Sequence, residues 1–179
     1  TVDVAVEETF TPLGFDDNDR SEFAVAGAFS NTCYRVGPYA LRVNQEEKTI
    51  KVQQQAYLYY GVCLQAIVPF SQMIQVGVLS EGHYTILDAH TGKKIGELPI
   101  IHSNTTGMDD YPYAPITDAY ILSDADEGKH TLVLKGVFAD RCSDIEEIRV
   151  QDQGKVLLVQ PIIKKIGDSS TCSHEKMRF

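Results

Sequence analysis

Alternation of apolar and polar residues predicts β-strands along the whole chain. Residues 22–29 and 131–138 show the same parity, with Phe23, Val25 and Phe29 on one side of the first stretch and Leu132, Leu134 and Phe138 on one side of the second. A period of two residues is typical of a strand with one buried face. Further strands are predicted at 40–43, 49–52, 66–68, 73–79, 83–87 and 94–98. Helical periodicity is scarce, so we expect an all-β protein.

The chain contains an internal repeat at a displacement of 109 residues. The residues that coincide at this displacement are Gly27 with Gly136, Phe29 with Phe138, Cys33 with Cys142, Cys63 with Cys172 and Phe70 with Phe179. Between the cysteines, 41–43 matches 148–150 and 48–53 matches 155–160 at a displacement of 107, so a two-residue gap opens and closes again. A repeat of this length is too long for a solenoid unit and predicts two tandem copies of one domain.

The four cysteines fit the same repeat. Three pairings are possible in principle, but Cys33 and Cys63 are 30 positions apart, and so are Cys142 and Cys172. Homologous copies would each hold one bridge, worth roughly 3 kcal/mol on the chain-entropy model. Such bridges persist in oxidising compartments, which predicts a secreted, periplasmic or cell-surface protein. The alternative is four buried free thiols in a cytosolic protein.

Short strands at close spacing, about seven for each copy, predict antiparallel β-sandwiches. The strand spacing and the single bridge in each copy resemble the immunoglobulin-like modules of bacterial secreted and envelope proteins. The chain departs from that family because Trp is absent and a separation of 30 residues is short for a bridge between two sheets. We therefore expect each bridge to link a strand end to a nearby loop.

The repeat predicts a domain layout. Module 1 should occupy residues 1–102, a linker rich in turn formers 103–113, and module 2 residues 114–179. Module 2 has no counterpart of the last strands of module 1. Either the natural chain continues past Phe179, or a strand from module 1 or another chain completes the sandwich by strand addition. The last case predicts a homo-oligomer.

Charge and motifs limit the classes of function. The 25 acidic against 16 basic residues give a net charge of -9, which opposes binding to nucleic acid or anionic lipid. No apolar run approaches the ~18 residues of a membrane-spanning helix. The common catalytic and phosphate-binding motifs do not occur, so we expect a non-enzymatic protein without a cofactor.

Two kinds of candidate binding residue remain. The tyrosines Tyr57, Tyr59, Tyr60, Tyr111 and Tyr113 form a candidate binding loop, since tyrosine joins a rigid apolar face to a polar tip. Packing of Tyr57 and Tyr59 against their own sheet is the commoner role for such residues. Two acidic loops are subsidiary calcium candidates, through Asp16, Asp17 and Asp19 in one and Asp124 and Asp126 in the other. Their spacing does not match a calcium loop, and turns of this composition are routine.

These features predict an extracytoplasmic binding, adhesion or envelope-structural protein that acts through loops and sheet edges on a protein or glycan surface. Two alternatives stay open. A disulfide-braced loop at 56–61 or 164–170 could inhibit a secreted hydrolase. Tyr57 and Tyr59 could instead form a sugar-binding site on the sandwich.

Overall fold

A computed structural model describes residues 1–104, 106–107, 113–124, 128–154, 156–166, 172–173 and 175–179 of the chain. The described residues form strands, turns and loops and include no helix, so the all-β prediction is confirmed. The chain divides into two compact units, Thr1–Asp110 (unit 1) and Tyr111–Phe179 (unit 2). The predicted linker, residues 103–113, spans this division.

Unit 1 is a sandwich of two sheets. Its strands are β1 (Val2–Val4), β2 (Glu8–Phe10), β3 (Arg20–Phe29), β4 (Tyr34–Asn44), β5 (Thr49–Leu58), β6 (Val68–Val78), β7 (Gly82–Asp88) and β8 (Lys94–Ile100). One sheet contains β1, β4, β5, β7 and β8, and the other contains β2, β3 and β6. The β5–β7 pair is parallel, unlike the other pairs of the unit, because β6 carries the chain to the opposite sheet between them.

The core of unit 1 follows the alternation of its strands. In β3 the odd positions Phe23 and Val25 are fully buried, and in β5 the even positions Ile50 and Val52 are fully buried. These faces meet in one cluster with Tyr84 and Ile86 of β7 and Leu98 of β8, which are buried completely as well; the cluster also holds other apolar residues. The predicted β-sandwich is therefore present in unit 1.

Unit 2 has five strands among its described residues. They are β9 (Ile116–Asp124), β10 (Lys129–Phe138), β11 (Ser143–Asp152), β12 (Leu157–Lys165) and β13 (Met177–Arg178). They form a three-stranded sheet in the order β13-β10-β9 and a β11–β12 hairpin. Strands after β13, at the positions that β7 and β8 have in unit 1, do not occur in the described part of unit 2.

The pairings of unit 2 repeat those of unit 1 at the displacement seen in the sequence. Phe29 lies opposite Val68 in unit 1, and Phe138 lies opposite Met177 in unit 2, each 109 positions later. The ring of Phe29 stacks on Phe70 with centroids 4.5 Å apart, and the ring of Phe138 stacks on Phe179 at 4.4 Å. The two units therefore share one pairing scheme around their cysteines.

One detail of the sequence alignment is wrong. Leu41 lies opposite Val52 in β4–β5, and Val150 lies opposite Val159 in β11–β12. Since Val159 corresponds to Val52, Leu41 corresponds to Val150 and not to Ile148. The displacement is thus 109 through β11 and 107 through β12, which places the two-residue gap at the turn between the strands. A shift of two residues preserves the buried face, so alternation alone could not detect it.

Candidate binding surface at the disulfide-braced loop

Large apolar side chains are exposed along the segment from the end of β5 to the start of β6, residues 57–67, which we call the apolar loop. Its exposed members are Tyr57, Leu58, Tyr59, Tyr60, Val62, Leu64 and Ile67. Tyr60 is 97% exposed and Val62 102%. Scattered apolar residues on a surface are ordinary, but a contiguous exposed group of this kind is typical of an interaction site.

The structure contradicts the packing role for Tyr57 and Tyr59. The buried face of β5 consists of its even positions up to Ala56, so the side chain of Tyr57 lies on the outer face and is 47% exposed. Tyr59 follows the last residue of the strand and is 58% exposed. Neither ring is covered by its own sheet.

A disulfide and three backbone contacts hold the apolar loop. Cys63 is bonded to the buried Cys33, with their Cα atoms 5.4 Å apart. The Tyr59 N–H donates to the Cys33 carbonyl at 3.0 Å. The Thr32 N–H donates to the Leu64 carbonyl at 3.1 Å, and the Leu64 N–H donates to Thr32 Oγ1 at 3.0 Å. The loop is thus fixed on both sides of its tip to the turn that precedes β4, as a bridge from a strand end to a loop was predicted to do.

The surface around the loop carries little charge. No Asp, Glu, Lys, Arg or His occurs between Lys51 and Glu81, although the chain as a whole has a net charge of -9. The cation at the loop is Arg35, whose Nη1 donates to the carbonyls of Thr32 and Tyr34 at 2.9 and 2.8 Å. A concavity of about 420 Å³ lies between Arg35 and the loop tip at Tyr60 and Val62.

Sequence reasoning singled out the tyrosines of this loop and missed its aliphatic members. Val62, Leu64 and Ile67 are 102%, 70% and 79% exposed, and they extend the tyrosine surface across the disulfide. The long stretch without a charged side chain was the signal that could have identified them. An apolar, uncharged segment is ordinarily assigned to a core, and only its position outside both sheets shows otherwise.

The equivalent brace in unit 2 has the same skeleton and different side chains. Cys142 is bonded to Cys172, with their Cα atoms 5.7 Å apart, and the Ile166 N–H donates to the Cys142 carbonyl at 2.7 Å. Both disulfides join the cysteines that the repeated spacing pairs. Here, however, Lys165 Nζ lies 3.0 Å from Asp140 Oδ2. The second candidate inhibitory loop, 164–170, lies outside the described residues beyond Ile166.

Asp140 organises the turn at this second brace. Its Oδ1 accepts from the Cys142 N–H and from Ser143 Oγ, both at 2.9 Å. Asn31 Oδ1 has the same role in unit 1, where it accepts from the Cys33 N–H at 2.9 Å. The pKa of Asp140 is lowered, chiefly because Lys165 donates a hydrogen bond to it and further because Ser143 does. A neutral amide in unit 1 is thus replaced by a charged carboxylate in unit 2.

The remaining tyrosine candidates do not belong to the apolar loop. Tyr113 lies in unit 2, where its backbone pairs with Ile162 and its hydroxyl accepts from Gln160 Nε2 at 3.1 Å. Tyr111 lies outside the described residues. The described part of the candidate loop is therefore Tyr57, Tyr59 and Tyr60.

The first acidic loop is a hydrogen-bonded turn. Asp16 Oδ1 accepts from the Asn18 N–H at 3.0 Å, and Asp19 Oδ2 accepts from the Asp16 N–H at 3.1 Å. Asp17 Oδ1 accepts from the Ser103 N–H at 2.8 Å, which is the chief cause of its lowered pKa. In the second loop Asp124 ends β9, and Asp126 lies outside the described residues. No group of three or more potential metal ligands is assembled in the part of the chain that the structure describes.

Comparison with known families adds one finding. Residues 23–87 match the ORF11 beta-sandwich domain. The matched segment runs from inside β3 to inside β7, and it includes the Cys33–Cys63 bridge and the whole apolar loop. No curated protein and no solved structure matches the chain. Among the described residues, no helix has the length and apolar character needed to cross a membrane.

Proposed function

We propose that the chain is an extracytoplasmic, non-enzymatic binding protein whose first unit contacts a partner protein through the apolar loop. The observation that carries this proposal is the exposure of seven large apolar side chains on a loop that a disulfide and three backbone hydrogen bonds hold in place. Two disulfides in one chain support an oxidising environment.

The bracing favours tight association. A loop that is fixed before it binds loses little conformational freedom on binding, so more of the contact energy appears as affinity. Tyrosine is among the residues that contribute most to protein interfaces, and Tyr59 and Tyr60 are both available to a partner. The loop therefore combines rigidity with the residue type that interfaces use.

A protein surface suits the loop better than a glycan. Val62, Leu64 and Ile67 are fully or largely exposed and offer no side-chain hydrogen-bonding atom. Carbohydrate hydroxyls need polar partners beside an aromatic platform, because a sugar leaves water with many hydrogen bonds to replace. Aliphatic side chains around tyrosines instead match the apolar centre of a protein–protein interface.

We further infer that the two units are copies of one module with different partners. Matching pairings, stacked phenylalanines and capped cysteines at one displacement support a common origin. The apolar loop of unit 1 has a charged counterpart in unit 2, where Lys165 pairs with Asp140. The scaffold was kept while the contact chemistry diverged.

Site-specific photo-crosslinking tests the proposed function. A benzophenone side chain replaces Tyr60 in one probe and Ile101, which is 55% exposed outside the loop, in a matched control. Each probe is exposed to the cell-envelope and secreted proteins of the source organism. The Tyr60 probe should yield an adduct that the Ile101 probe does not, and Val62→Asp in the same chain should abolish it. Identical adducts from both probes would contradict the proposal.

Affinity for the crosslinked protein, once purified, gives the second measurement. Tyr60→Ala should weaken binding by about tenfold or more, the effect of truncating a central interface tyrosine. An unchanged dissociation constant would exclude the loop as the contact surface.

Inhibition of a secreted hydrolase is the second candidate function. The tip at Tyr60 and Val62 is fully exposed while the loop is fixed on both sides, which is the geometry that enters an enzyme cleft. A panel of secreted proteases and glycosidases distinguishes the two. An inhibitor should block one enzyme and lose this effect in Tyr60→Ala, whereas a binding module should leave every enzyme active.

A further inference from the structure

The apolar interior of unit 2 is open at the end away from its disulfide. Leu132 and Leu157 occupy the positions that Phe23 and Ile50 have in unit 1. Phe23 and Ile50 are fully buried, but Leu132 is 40% exposed and Leu157 is 58% exposed. At the disulfide end the two units agree, since Phe138 is as buried as Phe29. The difference between the units is thus local to one end.

Unit 1 shows what covers this end of the module. Tyr84 and Ile86 of β7 and Leu98 of β8 pack in one cluster with Phe23 and Ile50. The strand β7 also pairs in parallel with β5, where Thr49 to Val52 lie opposite Thr85 to Asp88. One hairpin therefore supplies both the apolar cover and the hydrogen bonds of the β5 edge.

The corresponding edges of unit 2 have no such strand in the described part of the chain. On β12, residues 156–159 correspond to Thr49–Val52, and β11 is the one strand with which β12 pairs in the described residues. On β10, β13 pairs only with Val137 and Phe138, whereas β6 pairs along the whole of β3. Exposed apolar side chains thus lie beside backbone donors and acceptors that a strand can pair with.

We propose that unit 2 binds a β-hairpin of the β7–β8 pattern. The first strand of this hairpin adds in parallel to residues 156–159 of β12, and its alternate apolar side chains cover Leu132 and Leu157. The occupant is defined by chemistry: an extended polypeptide with large apolar residues at every second position, as Tyr84, Ile86 and Asp88 alternate on the buried side of β7. Backbone hydrogen bonds fix its direction, and the pockets over the two leucines select its side chains.

A second copy of the chain fits this surface less well. The β7–β8 hairpin of a second copy is buried in its own unit 1, so releasing it would expose that core. The other surface that a copy offers is the same open end, in which no described strand has the β7 pattern. The repeat within the chain therefore favours a separate hairpin over face-to-face association.

A fusion protein tests the proposal on the full chain. Residues 71–102 of unit 1 are appended after Phe179, in register because Phe179 corresponds to Phe70. Amide hydrogen exchange in β10 and at residues 156–159 should slow by about tenfold or more relative to the unfused chain, since exchange reports local opening. A dye that binds exposed apolar surface should bind less.

A matched fusion controls for the added length. In it the appended segment carries Tyr84→Asp and Ile86→Asp, which preserve the chain length and remove the apolar pattern, and exchange in β10 and β12 should remain at the rate of the unfused chain. Equal slowing by both fusions, or by neither, would overturn the proposal. So would a stable dimer of the unfused chain that Leu157→Asp dissociates, because a second copy would then be the occupant.

Discussion

Ile50 and Leu157 are equivalent positions in the two units, and their truncation should have different costs. Either change to alanine removes three carbon atoms, which is worth about 2.4 kcal/mol of transfer free energy at about 0.8 kcal/mol for each methylene-sized group. Ile50 is fully buried, so the cavity that remains raises the total to about 3–4 kcal/mol. Leu157 is 58% exposed, so only about two-fifths of the transfer term is lost, which is about 1 kcal/mol.

Hydrogen exchange measured by mass spectrometry on the full chain reads each unit separately. Peptides from β3 and β5 report the opening free energy of unit 1, and peptides from β10 and β12 report that of unit 2. Ile50→Ala should lower the first by about 3–4 kcal/mol and leave the second unchanged. Equal losses from Ile50→Ala and Leu157→Ala would refute the reasoning, because both positions would then be closed in solution.

Four further outcomes follow from the same contacts. Gly27→Ala should destabilise unit 1 by about 1–3 kcal/mol in thermal unfolding, since the added Cβ would lie 2.8 Å from the Phe70 ring and 2.9 Å from the Ala5 carbonyl oxygen; an unchanged melting temperature would show that this contact relaxes freely. Replacing Cys33 and Cys63 together with serine should remove about 3 kcal/mol from the opening free energy of unit 1 and leave that of unit 2 unaltered, with exchange on the double variant as the measurement. The lowered pKa of Asp140, whose chief cause is the hydrogen bond from Lys165, makes its stabilising contribution complete above the ordinary value of 3.8 and lost as the pH falls through the lower folded pKa. Asp140→Asn should therefore flatten the acid limb of a pH–stability profile, whereas Asp140→Ala, which also loses the acceptor for the Cys142 N–H, should be less stable than Asp140→Asn at neutral pH; identical profiles for all three proteins would argue against the ion pair. Tyr60→Ala should change the melting temperature by no more than about 0.5 kcal/mol allows, because Tyr60 is 97% exposed, and a larger loss would mean that its ring packs on the protein.

Much of the strand layout could be predicted because alternation records burial directly. The stretches around Phe23 and Leu132 lie in β3 and β10, and the hairpin around residues 44–47 joins β4 to β5. The repeat also paired the cysteines correctly, since a matched spacing is independent of any structure. Strand direction was different: the parallel β5–β7 pair depends on which sheet β6 joins, and no local pattern encodes that choice.

The apolar loop shows where local patterns stop. Tyr57 continues an alternating strand, and Val62 and Leu64 follow it in a stretch without charge, so the residues resemble a segment of core. They are exposed because Cys33 and Thr32 hold the chain outside the two sheets. Exposure is a property of what lies on the other side of a residue, and that is set by distant parts of the chain.

The sequence by itself determined the all-β class, the repeated unit and the partner of every cysteine, because strand period and residue spacing are written along one dimension. Only the tertiary structure decided which apolar residues face solvent, in the apolar loop of unit 1 and around Leu132 and Leu157 of unit 2. Burial results from the packing of separate strands. The same alternating pattern is therefore closed where β7 and β8 cover it and open where the described chain has no strand to do so.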